Sequence, residues 1–157
     1  MSETIHLLAG QKPDGQLIFE QVRATPLGDD CYELLTSPLF ARGAAKGDTV
    51  RLLNAGNFAV ERRSGNLCVR VMAKQAIDEI RTLLEAELKP LKAELDYHNE
   101  RILVYSIPVT AGFEAVETAF NRVLQERSGH AMWLYANVYD PQDGETPLNW
   151  WQDFLLK

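Results

Sequence analysis

Cysteines, histidines and paired carboxylates are the side chains with which this sequence would do covalent or acid–base chemistry, and they are few and scattered. Cys31 and Cys68 make neither a disulfide framework nor a metal-ligand spacing. Cys68 alternates inside a segment that reads as a strand and Cys31 opens another, so both are expected to pack as small hydrophobes. A nucleophilic thiol needs a base beside it, and His6, His98 and His130 lie in unrelated segments. The chain has no Gly-x-Ser-x-Gly elbow, which excludes an α/β-hydrolase reading. It has no His-x-x-x-His, no Cys-x-x-Cys and no calcium-loop pattern. Asp29-Asp30 is turn chemistry. Gly43-Ala44-Ala45-Lys46-Gly47-Asp48 lacks the Gly-Lys-Ser/Thr end of a phosphate cradle, and is expected to be a solvent-facing loop between two strands. Glu85/Glu87 and Glu114/Glu117 sit beside Arg or Lys on amphipathic stretches and read as solubilising charge. The residues therefore predict no catalytic group, no metal and no cofactor.

The elements that would carry these residues fall into two sets. Ile5–Ala9, Leu17–Ala24, Cys31–Leu35, Asp48–Asn54 and Phe58–Arg62 read as five short strands, with a turn at Pro26–Asp30 and no helical period before residue 75. That pattern suggests a small barrel or strongly bent sheet. After residue 66 the period changes. Leu67–Ala73 alternates, with Leu67, Val69 and Val71 on one face and Cys68, Arg70 and Met72 on the other. Ile77, Ile80, Leu84 and Leu88 then recur at helical spacing until Pro90. Leu91–Tyr97 and Arg101–Val109 are strands about a His98-Asn99-Glu100 turn. Phe113, Val116, Phe120, Val123 and Leu124 mark a second helix, expected to end on a glycine cap at Ser128-Gly129, and Met132–Tyr139 is a last strand. The order β-α-β-β-α-β is the ferredoxin-like plan. The predicted fold is α+β: a barrel-like unit over 1–65, a ferredoxin-like unit over 66–140, and a Trp-rich tail over 141–157. The tail would form a short helix after Thr146-Pro147 and dock on its own protein, because Trp150, Trp151 and Phe154 are costly to expose.

Between Val22 and Val50 stand Ala24, Pro26-Leu27-Gly28, Tyr32-Glu33-Leu34, Ser37-Pro38-Leu39-Phe40-Ala41, Gly43 and Gly47-Asp48. This pattern of a proline-glycine turn, a Pro-aromatic-Ala-x-Gly segment and a Gly-Asp strand opening resembles small bacterial proteins grouped as a domain of unknown function, the 4265 family. The α/β half is similar to the second half of that family, so the resemblance covers roughly residues 17–139. It implies a structural role for these residues and no activity.

Composition and charge narrow the partners. The 157 residues are 46% apolar and 24% charged with a net charge of −6, an ordinary globular balance. Residues 1–65 carry seven basic and eight acidic side chains, residues 66–157 nine and fourteen. Such a surface repels phosphate backbones and favours basic partners. Nucleic acid is not expected, nor is a membrane: no run nears the roughly 18 apolar residues of a span. The N-terminus has no leader pattern, which suggests the cytoplasm.

The last strand offers the strongest functional cue. Met132, Leu134, Ala136 and Val138 form an aliphatic face, Trp133, Tyr135, Asn137 and Tyr139 an aromatic one. Helices are expected to take the aliphatic face, leaving the aromatics on a helix-free surface with Arg70, Leu103 and Tyr105. That surface must be covered by the N-terminal unit, the tail, a second copy in a homodimer, or another protein. Arg70, Tyr105, Trp133, Tyr135 and Tyr139 are accordingly the partner-binding candidates. The resulting reading is a non-catalytic binding protein that meets another protein, with an inhibitor or immunity-type role suiting its size and acidity. The alternatives are a small-molecule sensor and an enzyme whose site lies between the two units.

Overall fold

The computed structural model describes residues 1–155, so the last two positions of the expected 141–157 tail lie outside the described residues. The fold mixes α and β, with two antiparallel sheets. The first is a meander of β1 (Glu3–Gln11), β2 (Leu17–Gly28), β3 (Cys31–Leu34), β4 (Thr49–Leu52) and β5 (Phe58–Arg62), paired in that order. Ile5, Leu7, Val22, Ala24, Leu34 and Val50 alternate onto its buried side. The turn expected at Pro26–Asp30 is tighter than that. β2 runs through Pro26, whose register slips before Gly28, and Asp29 and Asp30 alone make the hairpin, both with left-handed φ. Two positive-φ residues match the twist of the flanking strands, and a short polar side chain tolerates the conformation.

The second sheet holds β6 (Asn66–Ala73), β7 (Glu94–His98), β8 (Ile102–Pro108) and β9 (Ala131–Tyr135), with β7 and β9 at its edges and the order β7-β8-β6-β9. Helices α1 (Ile77–Leu88) and α2 (Phe113–Leu124) cover one face. The apolar stripes set their orientation: Ile77, Ile80, Leu84 and Leu88 are buried from α1, and Val116, Ala119, Phe120, Val123 and Leu124 from α2. They meet Leu67, Val69 and Val71 of β6 and Leu103, Tyr105 and Ile107 of β8. α2 runs out through a tight turn at Gln125–Arg127, and Gly129 is not left-handed, so the expected glycine cap is absent.

Three further expectations are corrected by packing. The last strand stops at Tyr135, because Ala136 keeps only its N–H on the Cys68 carbonyl, while its own carbonyl accepts the Gly43 amide at 2.8 Å and the Asn137 side chain takes the Cys68 amide. Pro147 does not start a helix; it forms a bridge with Tyr139, and only Gln152–Leu155 (α3) is helical. Trp150, 9% exposed, donates its indole N–H to the Asn137 carbonyl at 2.8 Å, while Trp151 and Phe154 pack on the helix-side core. The Gly43–Asp48 segment is not a solvent loop: Ala44, Ala45 and Asp48 are buried, as are Ser37 and Ala41 before it. It lies across the helix-free face of the second sheet, where Ala45 packs with Cys68, Ile102, Val104 and Ala136.

Candidate functional site

Register decides which way the candidate side chains point. β6 pairs with β9 so that Val69 faces Tyr135 and Val71 faces Trp133. Directly opposed residues share a face, so Trp133 and Tyr135 lie with Val69 and Val71 on the helix side. The expectation of a helix-free aromatic face is thereby overturned. The aliphatic Met132 and Leu134 face the other way, opposite Met72 and Arg70. Edge position explains how large aromatics fit beside a helix: their rings pack inward and their polar tips reach past it. Trp133 stacks on Phe120 at 5.2 Å and donates its indole N–H to Asn121 at 2.9 Å. Tyr135 meets Phe113 edge-on at 5.6 Å and donates its hydroxyl to Glu117 at 3.1 Å. Burial and the Glu117 carboxylate push the Tyr135 phenol well above its ordinary range.

The five sequence candidates therefore separate. Trp133, Tyr135 and Tyr139 line one open groove of about 450 Å³ along β9, together with Arg42, Glu117 and Gly144. Tyr105 is buried on the helix side, edge-on to Phe120 at 5.8 Å, and lines a different groove. Arg70 is 5% exposed and points into the seam between the sheets. Arg42 and Glu117 were missed by the sequence reading, since neither strand alternation nor helix charge indicates which strand edge they flank.

The β9 groove runs beside unpaired backbone. Lys74 N–H donates to the His130 carbonyl and Ala136 N–H to the Cys68 carbonyl, both at 2.8 Å. With the observed register this makes the even-numbered residues of β9 the ones bonded to β6. The N–H and C=O groups of Trp133 and Tyr135 consequently point away from the sheet, and among the described residues no hydrogen bond fills them.

The seam holds the titratable groups. Backbone 38–41 is gripped from both sheets by opposite charges. Glu20 of β2 accepts the Leu39, Phe40 and Ala41 amides, at 2.5, 2.9 and 2.8 Å. Arg70 of β6 donates to the carbonyls of Pro38 at 2.9 Å, Phe40 at 3.2 Å, and Ala41. Asp48 accepts the Ala45 and Ser64 amides at 3.0 and 2.8 Å with Arg63 at 3.6 Å, and Asp96 accepts from Ser37 N–H and Ser106 O–H, both at 3.2 Å. Gly47 turns the chain into Asp48 with φ of +87°, and a Cβ there would lie 2.8 Å from that of Ser64. Burial raises the Asp48 and Asp96 carboxyls above their ordinary values and pushes the Cys68 thiol up to about 11. Cys68 is wholly buried, so at neutral pH it is a protonated, packed thiol. Among the described residues no cluster of His, Cys, Asp and Glu could hold a metal ion, and no helix is long and apolar enough to cross a membrane.

A family model for a domain of unknown function, DUF4265, matches residues 20–133. The chain belongs to the DUF4265 family. The DUF4265 match begins at Glu20 and ends at Trp133, so it takes in the gripped 38–41 backbone, Arg70 and the first aromatic of the groove. Comparison with curated proteins gave no match. Among solved structures, a hypothetical protein from Neisseria gonorrhoeae is similar at a TM-score of 0.67 and 17% identity, covering 87% of this chain and 94% of that one. At that identity the likeness is one of fold.

Proposed function

We propose that this DUF4265 chain is a non-catalytic binding protein that captures an extended, basic segment of another protein along β9. In this reading residues 1–65 are a barrel-like unit, residues 66–140 a ferredoxin-like unit, and the tail a docked strap. The observation that carries it is the row of outward N–H and C=O groups at Trp133 and Tyr135, flanked by their own aromatic rings and by Tyr139. An added strand satisfies such an edge through main-chain bonds and takes its specificity from alternate side chains. Charge selects the occupant. Glu117 lines the groove, and the turn that reaches it through Gly144 carries Asp140, Asp143 and Glu145, against the single guanidinium of Arg42. Lysine or arginine of a guest strand would sit between these carboxylates and the faces of Trp133 and Tyr135. An inhibitor or immunity-type role suits the same charge logic.

The test is selection from a displayed library of extended peptides, followed by amide exchange on the complex. Selected peptides should alternate apolar with Lys or Arg, slow exchange at the Trp133 and Tyr135 amides, and bind Glu117→Lys about tenfold more weakly. Bound peptides that leave those two amides exchanging at the free rate would overturn the strand-addition reading. Enrichment of acidic peptides would overturn its charge assignment.

A further inference from the structure

A second concavity lies at the opposite edge of the sheet, between α1 and the edge strand β7. We propose that it binds a small zwitterion of the free α-amino acid class with an apolar side chain. The groove has a volume of about 550 Å³, within the usual range for small-molecule sites. Tyr105 forms part of its floor and is only 4% exposed. A buried tyrosine hydroxyl ordinarily finds a partner, yet this one makes no hydrogen bond among the described residues, in contrast to buried Ser106, Asn137 and Asp48. The phenol oxygen is not sealed in the protein either, so its free valence is directed at the groove.

Charges of both signs stand around that hydroxyl. Arg81 and Glu85 of α1 and Lys89, the residue just past its end, follow at four-residue intervals and line the same groove. At this spacing they would normally pair with one another, but among the described residues neither Glu85 nor Lys89 makes an ion pair. Arg81 is instead within 3.5 Å of Asp78 and 3.4 Å of His98 Nδ1 of β7. A planar guanidinium beside a phenol is suited to a carboxylate. Glu85, one turn on, is placed for the ammonium of the same molecule, and Leu88 and Leu95 supply an apolar wall for its side chain. Lys89 also lines the groove, so two cations stand there against one carboxylate, which favours the carboxylate end entering first.

The test is a titration of the intact chain, followed by amide shifts, with leucine, methionine and phenylalanine. Two half-ligands accompany them: 4-methylpentanoate, which lacks the amine, and 3-methylbutylamine, which lacks the carboxylate. The amino acids should shift residues 81–89 and 95–105, and bind at least about tenfold tighter than either half-ligand. Glu85→Gln, an exposed change that spares the core, should erase the preference for leucine over 4-methylpentanoate. Tyr105→Phe keeps the packed ring and should weaken both. No shifts at about 10 mM amino acid, a regime of roughly 2–3 kcal/mol of binding, would overturn the proposal. So would a leucine preference that survives Glu85→Gln.

Discussion

The two faces of the β7-β8-β6-β9 sheet are covered by different physics. On one, two amphipathic helices lay Ile80, Leu84, Val116 and Phe120 onto Val69, Val71 and Tyr105, and the polar atoms there are confined to the rim. On the other, a segment without regular structure is held across the sheet by Glu20, Arg70, Asp48 and Asp96, with only a small apolar patch beneath it. Helices satisfy their own backbone and can be placed by area alone. An irregular segment brings N–H and C=O groups into a buried place, and each must find a partner there. The charges of the seam are therefore backbone caps, which is why so many perturbed titratable groups assemble between the sheets.

The largest effects are expected on the helix face. Phe120→Ala removes a wholly buried ring that touches both Tyr105 and Trp133, and should cost about 3–5 kcal/mol in urea unfolding. Leu84→Ala should cost about 2–5 kcal/mol. A loss below the lower figure for both would mean that this face is not the principal core.

Arg70→Ala tests the other face at the next level. It strands the carbonyls of Pro38 and Ala41 in a buried place, and that of Phe40 at its edge, and should cost about 3 kcal/mol, with Arg70→Lys recovering only part because one ammonium cannot reproduce the fork. Glu20→Gln keeps the shape but weakens the hold on three amides, at a cost of about 1–2 kcal/mol. Because Glu20 and Arg70 both grip Phe40 and Ala41, the pair should be non-additive by about 0.5–1 kcal/mol. Strict additivity in a double-mutant cycle would show that the two sheets hold that backbone independently.

The same contrast explains what could be read in advance. The helix stripes, the succession of strands and helices along the chain and the burial of Cys68 follow from local periodicity, because a face covered by a helix must repeat with the helix or the strand. The orientation of β9 did not, since Met132 and Leu134 are as apolar as core residues and Trp133 and Tyr135 carry polar tips. Only the pairing of Val71 with Trp133 resolves that choice, and pairing is a property of two segments. The seam is harder still. Ser37 meets Asp96 across 59 positions and Arg70 meets Pro38 across 32, and nothing near Ala44 or Ala45 distinguishes a buried small residue from an exposed one. In the β9 groove, Trp133, Tyr135 and Tyr139 were visible as an alternating set, whereas Arg42 and Glu117 reach it from other elements.

The smallest effect is the most selective between the faces, because the seam holds buried carboxyls and the helix-side core holds none. Burial holds the folded-state values of Asp96 and Asp48 above the ordinary 3.8. A carboxyl raised on folding favours the protonated native state, so its contribution is complete below its unfolded value and is lost as pH rises through the folded one. Stability should accordingly decline from about pH 4 upward through the raised values. Asp143 works in the opposite sense. Hydrogen bonds from Thr146 and Glu145 lower it to about 2, so its contribution is present above 3.8 and lost as pH falls toward 2. Asp96→Asn keeps an acceptor for the Ser37 amide and offers a donor to the Ser106 hydroxyl, so the fold should survive while the decline above pH 4 flattens. Leu84→Ala should lower the whole stability–pH curve without changing its shape, since no acid group lies in that core. An Asp96→Asn curve parallel to wild type, with the native slope intact, would assign the acid response elsewhere and remove the seam's electrostatic distinction from the helix face.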